Sequence, residues 1–303
     1  MRLLAARRRI DLIHANSLRS ALVASAARLA GGPPVAAFIH DVLPPGRAAD
    51  MISQAVRSRA SLLLANSAFT ADRFGIAGGD PRRRVVHNPI DLDAFDPSRH
   101  PRASARRQLG LAPDDLILAV VAQITPWKGQ RYALEILDEL RSGRPDARLI
   151  VAGEAKFVSR ATRFDNRSYL AELHRFEDDR GLTGHVHWLG ERPDVPAILA
   201  AADILLVPSW EEPFGRVVVE AMAMGCLVAA TAAGGPAEVI THGVDGLLLP
   251  PREPRVWARV LCDLLARPGT IDAMRARAPL AAARFDRALF ARAVEAAYAE
   301  ALG

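Results

Sequence analysis

Two cysteines and two lysines are all that this chain of 303 residues holds of those types. Cys226 and Cys262 cannot build a disulfide framework or a four-ligand zinc site. A reducing cytosol is the location that this usage favours. Long apolar runs are missing too. Residues 116–121 and 198–207, the latter interrupted by Asp203, fall well short of the roughly 20 residues that cross a bilayer. Residues 1–10 are basic and apolar, but neither a long apolar stretch nor a small-residue cleavage site follows, so a cytoplasmic chain is expected. No Gly-x-Gly-x-x-Gly follows a strand pattern, which disfavours a dinucleotide cofactor. There is no Walker loop to support an NTPase and no Gly-x-Ser-x-Gly elbow to anchor a hydrolase triad. Internal repeats and low-complexity segments are also absent.

What is present describes an ordinary globular protein. Half the residues are apolar and 24% are charged, which excludes a disordered chain. At roughly 150 residues per domain the length suggests two domains, each able to bury a core. The net charge of +5 is unevenly spread: residues 1–110 carry 17 Arg against 8 acids (+9), and residues 111–303 carry 20 Arg and 2 Lys against 26 acids (−4). The basic half reads either as a solvated surface or as a face for an anionic partner, such as a phospholipid surface or a phosphate-bearing acceptor. Nucleic acid is not expected, because no aromatic-interleaved basic stripe accompanies the charge.

Short apolar runs alternate with amphipathic stretches, the pattern of parallel, doubly wound sheets. In the first third, strands are predicted at 10–14, 35–40, 62–65 and 85–87, with helices following Asn16 or Ser17, over 48–60, and after Asn66 or Ser67. Gly31-Gly32-Pro33-Pro34 supplies a glycine-then-proline helix stop. A second series has strands near 116–123, 148–153, 186–189, 204–208, 227–231 and 247–249. Its helices lie near 128–142, 168–180, 194–201 and 214–224. The expected organisation is α/β: two Rossmann-like domains with parallel sheets facing a cleft. Residues 1–96 form the first, 97–113 a basic, proline-bearing linker, and 114–283 the second. Residues 284–303 form a C-terminal helix that crosses back to the first domain.

The most informative stretch runs from Pro208 through Ser-Trp-Glu-Glu-Pro-Phe-Gly-Arg-Val-Val-Val-Glu to Gly225. A strand ends and a helix begins here, with Pro213 near its first turn. The backbone N–H groups of Phe214, Gly215 and Arg216 would then point out of the carboxyl end of a parallel sheet and form an anion site. Glu212 precedes the helix and Glu220 lies two turns in, so both can border one ligand. Carboxylates accept hydroxyl hydrogen bonds, which suits a sugar or a ribose. Two other patterns carry less. Asp91-Leu-Asp93 has metal-site spacing but lies inside the Asn-x-x-Asp linker pattern, and His185-Val-His187 lacks a third ligand.

The Glu212 to Glu220 spacing resembles the Glu-x7-Glu signature of retaining glycosyltransferases of family 4, the two-Rossmann-domain (GT-B type) class. The resemblance continues in Gly234-Gly235-Pro236-Ala237-Glu238-Val239, His242-Gly243-Val244-Asp245-Gly246-Leu247-Leu248, Asn88-Pro89-Ile90-Asp91 and Thr125-Pro126-Trp127-Lys128-Gly129. It implies a metal-independent hexosyltransferase without cofactor, acting on a nucleotide-diphosphate sugar. The expected acceptor is lipid-linked or an oligosaccharide, in bacterial surface polysaccharide or glycolipid synthesis, with a peripheral membrane location. Glu212 would contact the donor sugar, Glu220 the ribose, and Lys128 the diphosphate, helped by the helix start at Phe214, Gly215 and Arg216. His40, ending a strand of the first domain, would face the sugar. Gly153 and Arg192 would lie near the nucleotide. The family's Gly-Arg five residues before the lysine is Ala122-Gln123 here, so Gln123 brings a donor without charge. The resemblance further implies that the chain begins in the middle of the first domain, residues 1–9 being the tail of a helix. The alternative readings are a catalytically incompetent remnant that binds nucleotide or needs a partner chain, and a nucleotide-sugar epimerase.

Overall fold

Runs such as Val35–Ile39 and Leu62–Ala65 are apolar at every position, so as strands they need cover on both faces, which parallel sheets with flanking helices provide. A computed structural model describes residues 10–29, 31–156 and 163–302, so the helix expected over 1–9 lies outside the described residues. The chain divides into two compact units, Met1–Pro89 with Phe285–Gly303, and Ile90–Arg284.

The first unit holds a four-stranded parallel sheet in the order β1 (Ile13–Ala15), β2 (Val35–Ile39), β3 (Leu62–Ala65), β4 (Arg83–Val85). Alternation along the strands divides its core in two. Val35, Ala37, Ile39, Leu63 and Ala65 pack against α1 (Leu18–Leu29), α2 (Arg47–Arg57) and α3 (Ala68–Arg73), through residues such as Ala21, Val56 and Ala71. Ala36, Phe38, Leu62 and Leu64 face the C-terminal helix, Arg287–Leu302, through Phe290, Val294, Ala297 and Tyr298.

The second unit has a six-stranded sheet, also parallel throughout. Its strands are β5 (Leu116–Val121), β6 (Ala147–Ala152), β7 (Val186–Gly190), β8 (Ile204–Val207), β9 (Leu227–Thr231) and β10 (Leu247–Leu249). Their order in space is β10-β9-β8-β5-β6-β7. The chain therefore starts in the middle, winds outward to β7, and returns beside β5 to wind the other way. The reversal lies between β5 and β8, and ligands of open α/β sheets bind at the carboxyl ends of strands at such a point. The helices are α4 (Arg102–Gln108), α5 (Gln130–Arg141), α6 (Asn166–Asp179), α7 (Val195–Ala201), α8 (Arg216–Ala223), α9 (Pro236–Val239), α10 (Pro254–Leu265) and α11 (Pro268–Ala282).

Residues 97–113, read from the sequence as a linker, differ from that reading. They contain α4, and the division between the units falls at Pro89 rather than at residue 96. The basic tract is an anchor: Arg106 is 3% exposed and donates to the carbonyls of Ala201, Ala112 and Pro113 and to Asp203. Arg102 binds the same carboxylate. Two edge strands are also displaced from the expected ranges. β1 begins at Ile13, and β4 is Arg83–Val85 because Arg83 pairs with Leu63.

Candidate functional site

The loops that follow β5 and β8 meet at the switch point. Gly129 takes a left-handed conformation (φ 74°), and a Cβ there would lie 2.2 Å from the Pro208 carbonyl oxygen. Only glycine lets the two loops approach this closely. The backbone N–H of Trp210 donates to the Trp127 carbonyl (2.8 Å) across the same contact. Lys128 Nζ, 4.1 Å from the centroid of the Trp127 ring, thereby reaches Glu212 Oε2 at 2.6 Å. Ser209 Oγ donates to the same oxygen at 2.9 Å. Glu212 is 5% exposed, and a buried carboxylate needs such partners. Its backbone is fixed by the loop after β9: Glu212 N–H donates to Ala233 O, and Gly235 N–H donates to Glu212 O. Three strand-end loops thus converge on one ammonium–carboxylate pair.

Helix α8 starts at Arg216, two residues later than expected. Pro213 and Phe214 precede it, and Gly215 is the N-cap in the left-handed region (φ 84°). A Cβ on Gly215 would sit 3.1 Å from Glu212 Cγ and 3.2 Å from Val218 Cγ2. The Phe214 side chain is buried, so its backbone alone can serve a ligand. The first-turn N–H groups of α8, from Arg216 onward, carry the partial positive charge of the helix start. Glu220, one turn further, is largely buried and receives Arg216 Nη2 at 3.3 Å. Burial pushes the Glu220 carboxyl above the ordinary glutamate range, against the opposing pull of Arg216.

The remaining expected residues of this unit fall on the neighbouring strand ends. Gly153 follows β6, where a Cβ would overlap the Ala122 carbonyl oxygen, so the β5 and β6 loops touch beside Gln123. Gln123 Nε2 donates to Lys156 O at 3.3 Å, and its own carbonyl receives Gln130 Nε2 at 2.8 Å. Arg192 lies after β7 and is committed to Asp194 through two bonds of 2.7 and 2.6 Å. Lys128, Glu212 and Gly215 are therefore brought together with Ser209, whereas Arg192 makes its bonds elsewhere. Asp91 accepts the N–H groups of Asp93 and Ala94 as a turn cap. His185 Nδ1 lies 2.7 Å from Arg148 Nη1. Among the described residues no group of three His, Cys, Asp or Glu side chains is placed to hold a metal ion. A groove of about 430 Å³ lined by Glu135, Asp138, Phe176, Arg180 and Arg252 contains none of the switch-point residues.

In the first unit, three carboxyl strand ends each carry a polar residue: Asn16 after β1, His40 after β2 and Asn66 after β3. His40 Nε2 lies 2.8 Å from Asn16 Oδ1, and Asn66 Nδ2 donates to His40 O at 3.0 Å. Burial draws the His40 imidazole below the ordinary histidine range, with Asp41 and Asn88 opposing it. Ser209 and Asn16 were missed in the sequence. Ser209 has a signal in the sequence, since it directly follows Pro208, the residue after β8, whereas Asn16 reads as one of two equivalent helix caps. No described helix is long and apolar enough to cross a membrane.

Comparison with known proteins gives the family and the fold. The sequence model of glycosyl transferases group 1 matches residues 101–280, and that of glycosyltransferase family 4 matches residues 1–94. The chain is 36% identical over 228 residues to D-inositol 3-phosphate glycosyltransferase of Mycobacterium sp. (strain KMS), covering 74% of this chain and 48% of that protein. The relative of that name in Salinispora arenicola is 31% identical, covering 86% of this chain and 62% of that one. The chain thus spans about half to three-fifths of the length of these curated relatives. The crystal structure of Anabaena HepE in complex with UDP and glucose superimposes with a TM-score of 0.86 at 29% identity, covering 98% of this chain and 80% of that one. The expected fold class, α/β with two parallel sheets of the GT-B type, holds.

Proposed function

The chain belongs to the glycosyl transferases group 1 family, and on that premise we propose that it is a retaining hexosyltransferase, transferring a hexose from a nucleotide-diphosphate sugar to an acceptor hydroxyl. The observation that carries the reading is the Lys128–Glu212 pair at the β5/β8 switch point, beside the first turn of α8. In transfer the bond from the anomeric carbon to the diphosphate oxygen breaks, with both electrons leaving on the diphosphate. The acceptor oxygen bonds to that carbon on the same face and gives up its proton to the departing diphosphate oxygen. Charge therefore grows on the diphosphate, and an ammonium with preorganised backbone N–H groups stabilises it there. That charge supply supports a metal-independent route. Glu212 would accept sugar hydroxyls and Glu220 ribose hydroxyls, with the amide of Gln123 and the close backbone at Gly153 lining the nucleotide. His40 is the residue of the first unit that the resemblance proposes as a contact of the donor sugar.

UDP and UDP-glucose are bound in the HepE structures, which makes uridine donors the first to try. An acceptor in surface-polysaccharide or glycolipid synthesis, and an anionic membrane surface beneath it, follow from the resemblance and from the basic first third. Donor hydrolysis and transfer assayed against a panel of UDP- and GDP-sugars, with NMR of the product's anomeric configuration, tests the reading. Transfer with retention is expected. A chain that hydrolyses and transfers none of the donors, or that inverts, overturns it.

A further inference from the structure

A continuous hydrogen-bonded row joins the C-terminal helix to His40 inside the first unit. Tyr298 Oη lies 2.5 Å from His14 Nδ1. His14 Nε2 lies 3.4 Å from Asn16 Oδ1, and His40 Nε2 lies 2.8 Å from the same oxygen. A carboxamide oxygen only accepts, so each ring nitrogen directed at it must carry a proton. A neutral imidazole protonated at Nε2 has its lone pair at Nδ1. Tyr298 O–H is then the donor to His14 Nδ1, and every bond in the row has one donor and one acceptor. The His40 ring also packs on the Phe38 ring, at 4.2 Å between centroids, and the His40 backbone carbonyl accepts from the Asn66 side-chain amide.

We propose that Tyr298, His14 and Asn16 are positioning residues that lock His40 as its Nε2–H tautomer, so that Nδ1 is the acceptor atom of the ring and can take a sugar hydroxyl beside the Asn88 side chain. The catalytic half rests on the reading of His40 given above. The tautomer half rests on the geometry alone. The charged and polar groups around the His40 ring are Asp41, His14, Asn16 and Asn88. Burial keeps the ring neutral near neutrality, the state in which a tautomer has meaning.

The test is long-range proton–nitrogen NMR of the imidazoles in the whole chain at about pH 8, combined with transfer kinetics. Wild type should show Nε2–H for both His14 and His40. Asn16→Ala should turn His40 into a tautomer mixture and lower kcat by roughly tenfold or more, with donor KM little changed. Asn16→Asp keeps the acceptor oxygen, so the Nε2–H form should return and part of kcat with it, while its negative charge raises the His40 titration midpoint. Tyr298→Phe should perturb the His14 tautomer first and His40 less. An Nδ1–H or averaged His40 in wild type, or an unchanged His40 in Asn16→Ala, overturns the lock. The expected tautomers together with full activity in His40→Ala leave the lock standing and overturn its catalytic half.

Discussion

At the scale of the residue, Glu212 is buried and Glu220 largely so, near one loop, and the proposed function gives them different tasks. Glu212 accepts hydrogen bonds from Lys128 and Ser209, so a donor diphosphate that binds Lys128 would draw it partly away from Glu212. Glu212→Gln should then leave binding of the bare nucleoside diphosphate equal or tighter and weaken binding of the nucleotide sugar, because only the sugar loses a partner. Glu220→Gln should weaken both ligands, since ribose belongs to both. Calorimetric titration with the two ligands decides, and equal effects of both changes on both ligands would contradict the assignment. Glu220 also carries a pH signature. Its folded carboxyl titrates above the ordinary value because burial penalises the anion, so the proton is bound more tightly in the folded state. That contribution to stability is present below the unfolded value and is lost as pH rises through the folded one. Glu220→Gln should accordingly raise Tm at pH 7.5, with the gain shrinking toward pH 4. A gain independent of pH would show that the charge is not the cause.

At the scale of the element, α4 shows what a basic, proline-bearing segment can hide. Asp203→Ala would leave Arg106 buried and without its ionic partner, and breaking a buried pair in this way costs about 3 kcal/mol. Urea denaturation should show that loss as a lower midpoint with an unchanged slope, and a midpoint equal to wild type would mean that α4 is not held through Asp203. The sequence could not reveal this anchor, because Asp203 lies about a hundred residues away, between α7 and β8. The buried strands, by contrast, were legible, since a run such as Leu-Leu-Leu-Ala between turn signals has few alternatives. The edge strand β4 was read two residues late, because Arg83 and Arg84 look like loop residues until pairing with β3 sets their register. The start of α8 was read early, because proline favours a first turn, whereas here the left-handed Gly215 marks the boundary. Lys128 and Glu212 were each expected from the sequence as site residues. Their direct contact was not, since it depends on two loops touching at Gly129.

At the scale of the whole molecule, the uneven charge is partly internal bookkeeping of the fold. Arg82 pairs with Asp80, Arg83 with Asp72 and Arg84 with Glu300, which removes those cations from any outward field. Arg19, Arg28 and Arg47 on α1 and α2 are exposed beside Val23, Leu29 and Met51, which are 57%, 70% and 70% exposed. If an anionic membrane is a partner, this face should carry the binding. Flotation with phosphatidylserine-containing vesicles should show association at low salt that fades as the Debye length falls toward ~8 Å, and changing all three arginines to glutamate should abolish it. Association that ignores salt or survives the triple change would remove the membrane from the account. The central claim concerns the other unit, where the diphosphate of the donor is expected at the β5/β8 switch point. Isothermal titration of UDP into wild type and Lys128→Ala measures it directly, with circular dichroism confirming that the variant is folded. Loss of a hydrogen bond to a charged group costs about 1.5–3 kcal/mol, so affinity should fall roughly 10–150-fold. A folded Lys128→Ala chain that binds UDP as tightly as wild type would contradict the account.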